Sequence, residues 1–190
     1  MVWQLTRMKI IHGVDVILDS TTQRVWYHGD GQASWSFPKP WKGSTWGYKV
    51  HTLLCRWSEL PILFLVTPAN RHDSPLAIPL LSLAVACFGF PIAIVRADAA
   101  YFSYTLLNYI RTILHAGFVI DYNLRKQGKK ALATLPFIRH WRFHLKFRTV
   151  IERHFAWAKR YFGLEPARWN GLIAADQHTA LVYSVMLGVA

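Results

Sequence analysis

Apolar positions along this chain fall into two kinds of run, and their order already describes an architecture. Short β-branched runs bounded by turn residues read as strands. The first is Val14-Asp15-Val16-Ile17-Leu18-Asp19, stopped by Ser20-Thr21-Thr22, whose hydroxyls bond nearby backbone. Gly47 to Leu54 alternates as a half-exposed strand, and Leu60 to Thr67 supplies its hairpin partner. Ile92 to Asp98 and Phe118 to Tyr122 complete five strands. Longer apolar runs read as helices: Pro75 to about Phe88, apolar nearly all round and so expected to be deeply covered, and Ser103 to His115, closed by Gly117. Asp73 or Ser74 is the N-cap candidate of the former, with Pro75 at its first turn. Lys146 to Gly163 and about Ala175 to Leu187 are the last two. The order β-β-β-α-β-α-β-α predicts an α/β fold with a mixed five-stranded sheet: three antiparallel strands, then two helix-connected strands, flanked by helices. In that layout the ends of the first and fourth strands lie side by side.

The helix from Lys146 to Gly163 changes the picture. Phe147, Val150, Ile151, Phe155, Ala158 and Phe162 recur at helical spacing and define its buried face. At 100° per residue, Arg148, Glu152 and Lys159 fall within about 40° of one another at the edge of that face. Glu152 is the one carboxylate among eleven Lys and Arg residues between Tyr122 and Leu164. A surface ion pair between Arg148 and Glu152, worth a few tenths of a kcal/mol, accounts for this helix alone. Two further acids give it company, because Asp19 and Asp98 each end an apolar strand. Asp15 lies on the same face as Asp19 and reads as peripheral; Asp121, ending the fifth strand, is the substitute for either Asp98 or Glu152.

Composition says what such a site acts on. The 190 residues carry a net charge of +12 and a pI near 10.1, which calls for a polyanionic partner, nucleic acid or an anionic membrane surface. The uncharged run Pro75 to Val95 has the length of a membrane span, but Pro79 and Gly89-Phe90-Pro91 divide it into a helix and a strand. No secretory signal is visible. Cys55 and Cys87 are too few for a disulfide framework or a Cys-type zinc site, so the chain reads as cytoplasmic. A basic tract from Arg125 to Lys146 interleaves Arg125, Lys126, Lys129, Lys130, Arg139, Arg142 and Lys146 with Phe137, Trp141 and Phe143. That mixture suits phosphate neutralisation with stacking on unpaired bases, or else a solvated surface with its rings turned inward. Lys42 adds a cation to an aromatic, Gly- and Pro-containing loop from about Tyr27 to Thr45. His140 and His144 stand one helical turn apart without a third ligand, which does not make a zinc site.

Two strand-end carboxylates and a third on a packed helix can hold two divalent cations. Mg²⁺ takes hard oxygen ligands and keeps several waters, so two or three carboxylates and a substrate phosphate suffice. Two such ions clamp the attacking and leaving oxygens of an in-line phosphoryl displacement. Asp19, Asp98 and Glu152 are therefore expected to converge on one metal site.

VILDST, GYKVH, VTPANRHDSPL, ADAAYFS and RTVIERHFAWAKRYFG together resemble the insertion-sequence transposases of the DDE superfamily, in order and from about Asp15 to the end of the chain. The family signature Tyr-x2-Arg-x3-Glu-x6-Lys is met by Arg148, Glu152 and Lys159, with Leu145 at the tyrosine position. The resemblance implies a ribonuclease-H-like fold and the metal-binding triad Asp19, Asp98 and Glu152, served by two Mg²⁺ ions with Mn²⁺ as substitute. It implies cleavage of a phosphodiester at the transposon end and transfer of the freed 3′-OH to target DNA, with Arg148 and Lys159 holding phosphates. The partners it implies are DNA and a second copy in a synaptic complex, in a bacterial, nucleoid-associated setting and without a membrane. Transposases of this kind carry a helical DNA-binding domain ahead of the first catalytic strand. The expectation is a single catalytic domain over 1–190, paired with the product of an upstream reading frame. The alternative is an inactive or domesticated nucleic-acid-binding remnant.

Overall fold

The computed structural model describes residues 1–37, 43–121, 146–165 and 169–190, the side chain of Arg148 excepted. Helix α1 (Val2–Arg7) precedes β1 (Asp15–Arg24), β2 (Ser34–Trp35), β3 (Trp46–Cys55) and β4 (Pro61–Pro68). Helix α2 (Ser74–Phe88), β5 (Ile94–Ala97), α3 (Tyr104–Thr112) and β6 (Gly117–Ile120) follow. Helices α4 (Thr149–Arg160) and α5 (Leu172–Gly188) complete the described elements.

β3 is the hub of one half of the sheet, pairing antiparallel with β1 on one side and with β4 on the other. β5 lies parallel to β1, and β6 parallel to β5. The principal order β4-β3-β1-β5-β6 is the three-strand meander plus two crossover strands expected of a ribonuclease-H-like fold. The sixth strand, β2, was not anticipated. It is two residues that pair Ser34 with Gly47 and Trp35 with Trp46, too short to show any period. Gly47 is required where it stands: its φ is 149°, and a Cβ there would lie 2.1 Å from the Gln23 carbonyl oxygen.

Alternation along β1 divides the core. Val16 and Leu18 join Leu53 and Cys55 in a cluster with Leu80, Leu81 and Ala84 of α2 and Leu106 and Ile110 of α3. Ile17 points the other way, to Leu54, Ile151 and Phe155. Farther along that second face, Val50 meets Ala158 of α4 and Val182, Tyr183 and Met186 of α5. The sheet is thus a middle layer, with α2 and α3 on one face and α4 and α5 on the other. Each large apolar side chain fully buried this way contributes about 1.5–3 kcal/mol.

Two helices differ from expectation. Helix α2 buries Ala77, Leu80, Leu81 and Ala84 but leaves Leu83 exposed, so its uniform apolarity does not mean cover all round. On α4, Ile151, Phe155 and Ala158 are buried as predicted, and His154 joins them, because its ring packs against Tyr183 of α5. No helix among the described residues is long and apolar enough to cross a membrane.

Candidate metal and nucleic-acid site

β1 does not stop at Ser20-Thr21-Thr22 as expected but pairs with β3 as far as Arg24, so Asp19 ends only the parallel pairing with β5. The register still lines up the acids that follow the paired positions. Leu18 pairs with Ala97, and Ala97 with Ile120. Asp19, Asp98 and Asp121 therefore each follow a paired position on strands about 4.8 Å apart. Face matters as much as level. Arg96 sits two residues before Asp98 and pairs with Asp15, on the α4 side of the sheet. Alternation from Arg96 and from Ile17 assigns Asp98 and Asp19 to that same side. Helix α4 packs there through Ile151, with Glu152 exposed in its first turn. Among the described residues, no group of three or more His, Cys, Asp or Glu side chains stands close enough to hold a metal ion. The acids fit a hard divalent cation by donor type, with two carboxylates in register and Glu152 on the helix alongside.

Both acids in register also serve the backbone. Asp98 Oδ1 accepts from the Ala100 amide at 2.9 Å, capping a short 3₁₀ turn over Ala99–Tyr101. Asp19 Oδ1 accepts from the Ser20 amide at 2.8 Å. Local capping and ligation are compatible, since a carboxylate carries about four lone-pair sites.

Behind these acids, on the α2 face, lies a polar cluster that the sequence did not announce. Asp73 occupies the N-cap position of α2 but makes no side-chain cap bond. Its Oδ1 instead accepts from Ser20 Oγ at 2.7 Å and lies 3.2 Å from Lys49 Nζ and 3.3 Å from His51 Nδ1. Lys49 Nζ also donates to the Arg71 carbonyl, and His51 Nε2 shares a hydrogen bond with Thr67 Oγ1. Burial lowers the His51 pKa to about 4 against the pull of Asp73, and Lys49 acts in the same direction as burial. Tyr101 completes the group. Its hydroxyl is buried near Ser20, without a well-aligned hydrogen bond among the described residues. Burial, followed by the charges of Asp73 and Asp19, pushes its pKa well above the usual phenol value. The sequence did carry one signal: Lys49 and His51 alternate on one face of a strand whose other face presents Val50, Thr52 and Leu54.

The other predicted residues divide. Lys159 donates to the Thr22 carbonyl at 2.7 Å and pairs with Glu165 at 2.8 Å, tying α4 to β1. Lys146 is exposed at the start of a 3₁₀ turn leading into α4. Lys42, Arg125, Lys126, Lys129, Lys130, Arg139 and Arg142 lie outside the described residues, as does the side chain of Arg148. Asp15 is structural: Arg96 grips it with two bonds of 2.7 and 2.9 Å, and Arg56 adds a third contact at 3.3 Å.

Comparison with known proteins places this geometry in a lineage. A family model described as the transposase DDE domain matches residues 12–187. The chain belongs to the transposase DDE domain family. A search of curated proteins found no significant match. Among solved structures, the chain is similar to the Mos1 transposase paired-end complex with left transposon end, at 12% identity and a TM-score of 0.35. That alignment covers 82% of this chain and 58% of the other, and a likeness this slight carries no argument.

Proposed function

We propose that this DDE domain is the catalytic core of an insertion-sequence DNA transposase, cleaving phosphodiesters and transferring strands with divalent metal. The observation that carries the reading is the shared register and face of Asp19 and Asp98, with Glu152 on the helix packed against that face. In this reading the three carboxylates hold Mg²⁺, or Mn²⁺ in its place. The metal would supply Lewis-acid activation and charge neutralisation at the scissile phosphate. The chain's own part is to fix ligand spacing through sheet register and to hold the backbone behind Asp98 rigid through the Ala99–Tyr101 turn. The +12 net charge supports a DNA partner, since neutralising phosphates releases condensed counterions. In the same reading, exposed Lys146, with Arg148 and the cations of 125–142, contacts the backbone. Lys159 acts first as a strut between α4 and β1.

A second reading, a DNA-binding domain that has lost catalysis, is favoured by one observation: the described residues contain no closed three-acid cluster. Supercoiled plasmid incubated with purified chain and Mg²⁺ or Mn²⁺ separates the two. Nicking should appear with wild type and vanish in Asp98→Asn, while DNA affinity stays the same or rises. Wild-type binding without nicking in either metal would favour the remnant; nicking retained by Asp98→Asn would remove Asp98 from the mechanism.

A further inference from the structure

Between β1 and β3 the chain displays aromatic rings to solvent in a way the proposed chemistry does not use. Trp26, Tyr27, Trp35 and Phe37 are 64%, 60%, 53% and 52% exposed, while the aliphatic neighbours Val25 and Ala33 are buried. The outward rings are held rather than loose. Trp35 stacks on His28 at 5.6 Å and meets Trp46 edge-on at 5.4 Å. Trp46 Nε1 donates to the Tyr27 carbonyl, and the Tyr27 ring covers the space a Cβ on Gly29 would need. Phe37 stacks on His72 at 5.0 Å, next to Asp73 of the cluster behind the acids.

Charge and ring type together select the occupant. Arg24, opposite Gly47, and Arg71, next to His72, are exposed in the flanking chain. Of the acids there, Glu165 accepts from the Arg24 amide and pairs with Lys159, and Asp30 is buried and committed to Tyr48, Gly171 and Gln32. The outer side of α5 differs, exposing aliphatic Ile173, Leu181, Val185 and Val189. Flat rings among cations suit nucleobases, which stack on aromatic faces regardless of sequence. Position agrees: Arg24 stands five positions along β1 from Asp19 and pairs with Gly47, where β2 joins the sheet two strands across from β1. Roughly 17 Å along the strand and about 10 Å across put the rings roughly 20 Å from Asp19, about six nucleotides at the 3.4 Å spacing of one duplex strand.

We propose that Tyr27, Trp35 and Phe37 form a stacking platform for unpaired bases of a DNA strand that runs about six nucleotides from the carboxylate site. The proposal rests on the reading of this chain as a DNA transposase. Its test is a titration, in EDTA to prevent cleavage, with three fluorescein-labelled 20-mers: a single strand, a single strand with a central abasic run, and a duplex. Wild type should bind the intact single strand roughly tenfold or more tighter than the abasic one, within the range for loss of base stacking. The double variant Trp35→Ala/Phe37→Ala should erase that difference and leave the slope of log Kd against log salt unchanged, because the slope reports phosphate contacts. Circular dichroism confirms that the variant is folded, and Tyr27→Ala gives an independent second reading. Equal affinity of wild type for intact and abasic strands would overturn the platform, as would an equal loss by the variant on both. So would rings whose removal abolished only self-association or binding to neutral phosphatidylcholine vesicles. Metal-dependent plasmid nicking reads the transposase assignment separately, so a chain that nicks but ignores the abasic run sinks the platform alone.

Discussion

β1 carries two acids four residues apart with opposite surroundings. Asp15, 5% exposed, sits against Arg96 and Arg56, and its oxygens are met by guanidinium donors at 2.7, 2.9 and 3.3 Å. Asp19 stands at the other end of the parallel register, near two more carboxylates, Asp73 and Asp98, which together with it raise the pKa of the Tyr101 phenol. At one end two guanidinium groups hold a single acid. At the other, Asp73 takes Lys49 and His51 at 3.2 and 3.3 Å, and burial, with the charges of three acids added to it, raises the Tyr101 phenol. In the proposed reading Asp19 and Asp98 serve a divalent metal there, whereas Asp15 serves the fold.

The sharpest way to break this comparison is to exchange the two acids' fates. Asp15→Ala should cost about 3–5 kcal/mol of stability, because it strands a buried guanidinium. Urea unfolding monitored by tryptophan fluorescence reads that loss, and nicking per folded molecule should stay near wild type. Asp19→Asn should do the reverse, ending nicking at a loss of stability well below that of Asp15→Ala. If both variants lost stability equally, the two ends of β1 would not differ in kind.

Acid provides a smaller lever. Burial lowers the His154 pKa to about 4, and His51 shifts in the same direction. Each imidazole titrates near 6.5 when unfolded. Protons therefore bind the unfolded chain first as pH falls, so stability is complete above about 6.5 and is lost progressively down to about 4. His154, between Glu59 of the hairpin and Tyr183 of α5, should account for on the order of 3 kcal/mol of that loss. His154 meets Glu59 in the hairpin beside Arg56, at the Asp15 end of β1, while His51 faces Asp73 near Ser20. Hydrogen exchange at pH 5 should therefore show α4 and the 56–60 hairpin loosening relative to pH 7. Equal protection at the two pH values would contradict this.

The smallest effect belongs to Tyr101→Phe. Removing a buried hydroxyl that makes no well-aligned bond among the described residues should leave stability unchanged or raise it by up to about 1 kcal/mol. A loss above 2 kcal/mol in thermal unfolding would mean that the hydroxyl makes a bond after all.

What could be read from the residues follows from range. β1, β3, β4 and β5 were legible from their apolar runs, although Ser-Thr-Thr does not stop β1, which continues to Arg24 by pairing with β3. α3 was legible because Ser103 does cap it, accepting from the Leu106 amide at 3.2 Å. The alignment of Asp19 with Asp98 followed from strand order. Helix α1 was missed because six residues do not establish a period. Asp73 was read as a cap because that signature is local. Its actual partners lie 53 residues away at Ser20 and on β3, a distance no local pattern encodes. Lys159 was assigned to phosphate, but the nearest acid, Glu165, and the Thr22 carbonyl claim it first. Tyr101 is one of eight tyrosines, and only packing sets it apart.

The parallel register also governs which genetic changes this domain tolerates. The alignment of Asp19 with Asp98 depends on backbone pairing from Asp15↔Ile94 to Leu18↔Ala97, with no spare residue. Deleting one codon inside Val16–Leu18 would keep the reading frame yet turn Asp19 to the opposite face of the sheet, since side-chain direction reverses at every residue. The same deletion in the loop between β1 and β2 would leave the acids in phase. A lineage of this domain under selection for transposition should therefore accumulate length changes in loops and exclude them from β1 and β5. In a decaying copy, a single-codon indel in either strand would mark the loss of catalysis while the surrounding fold still assembled.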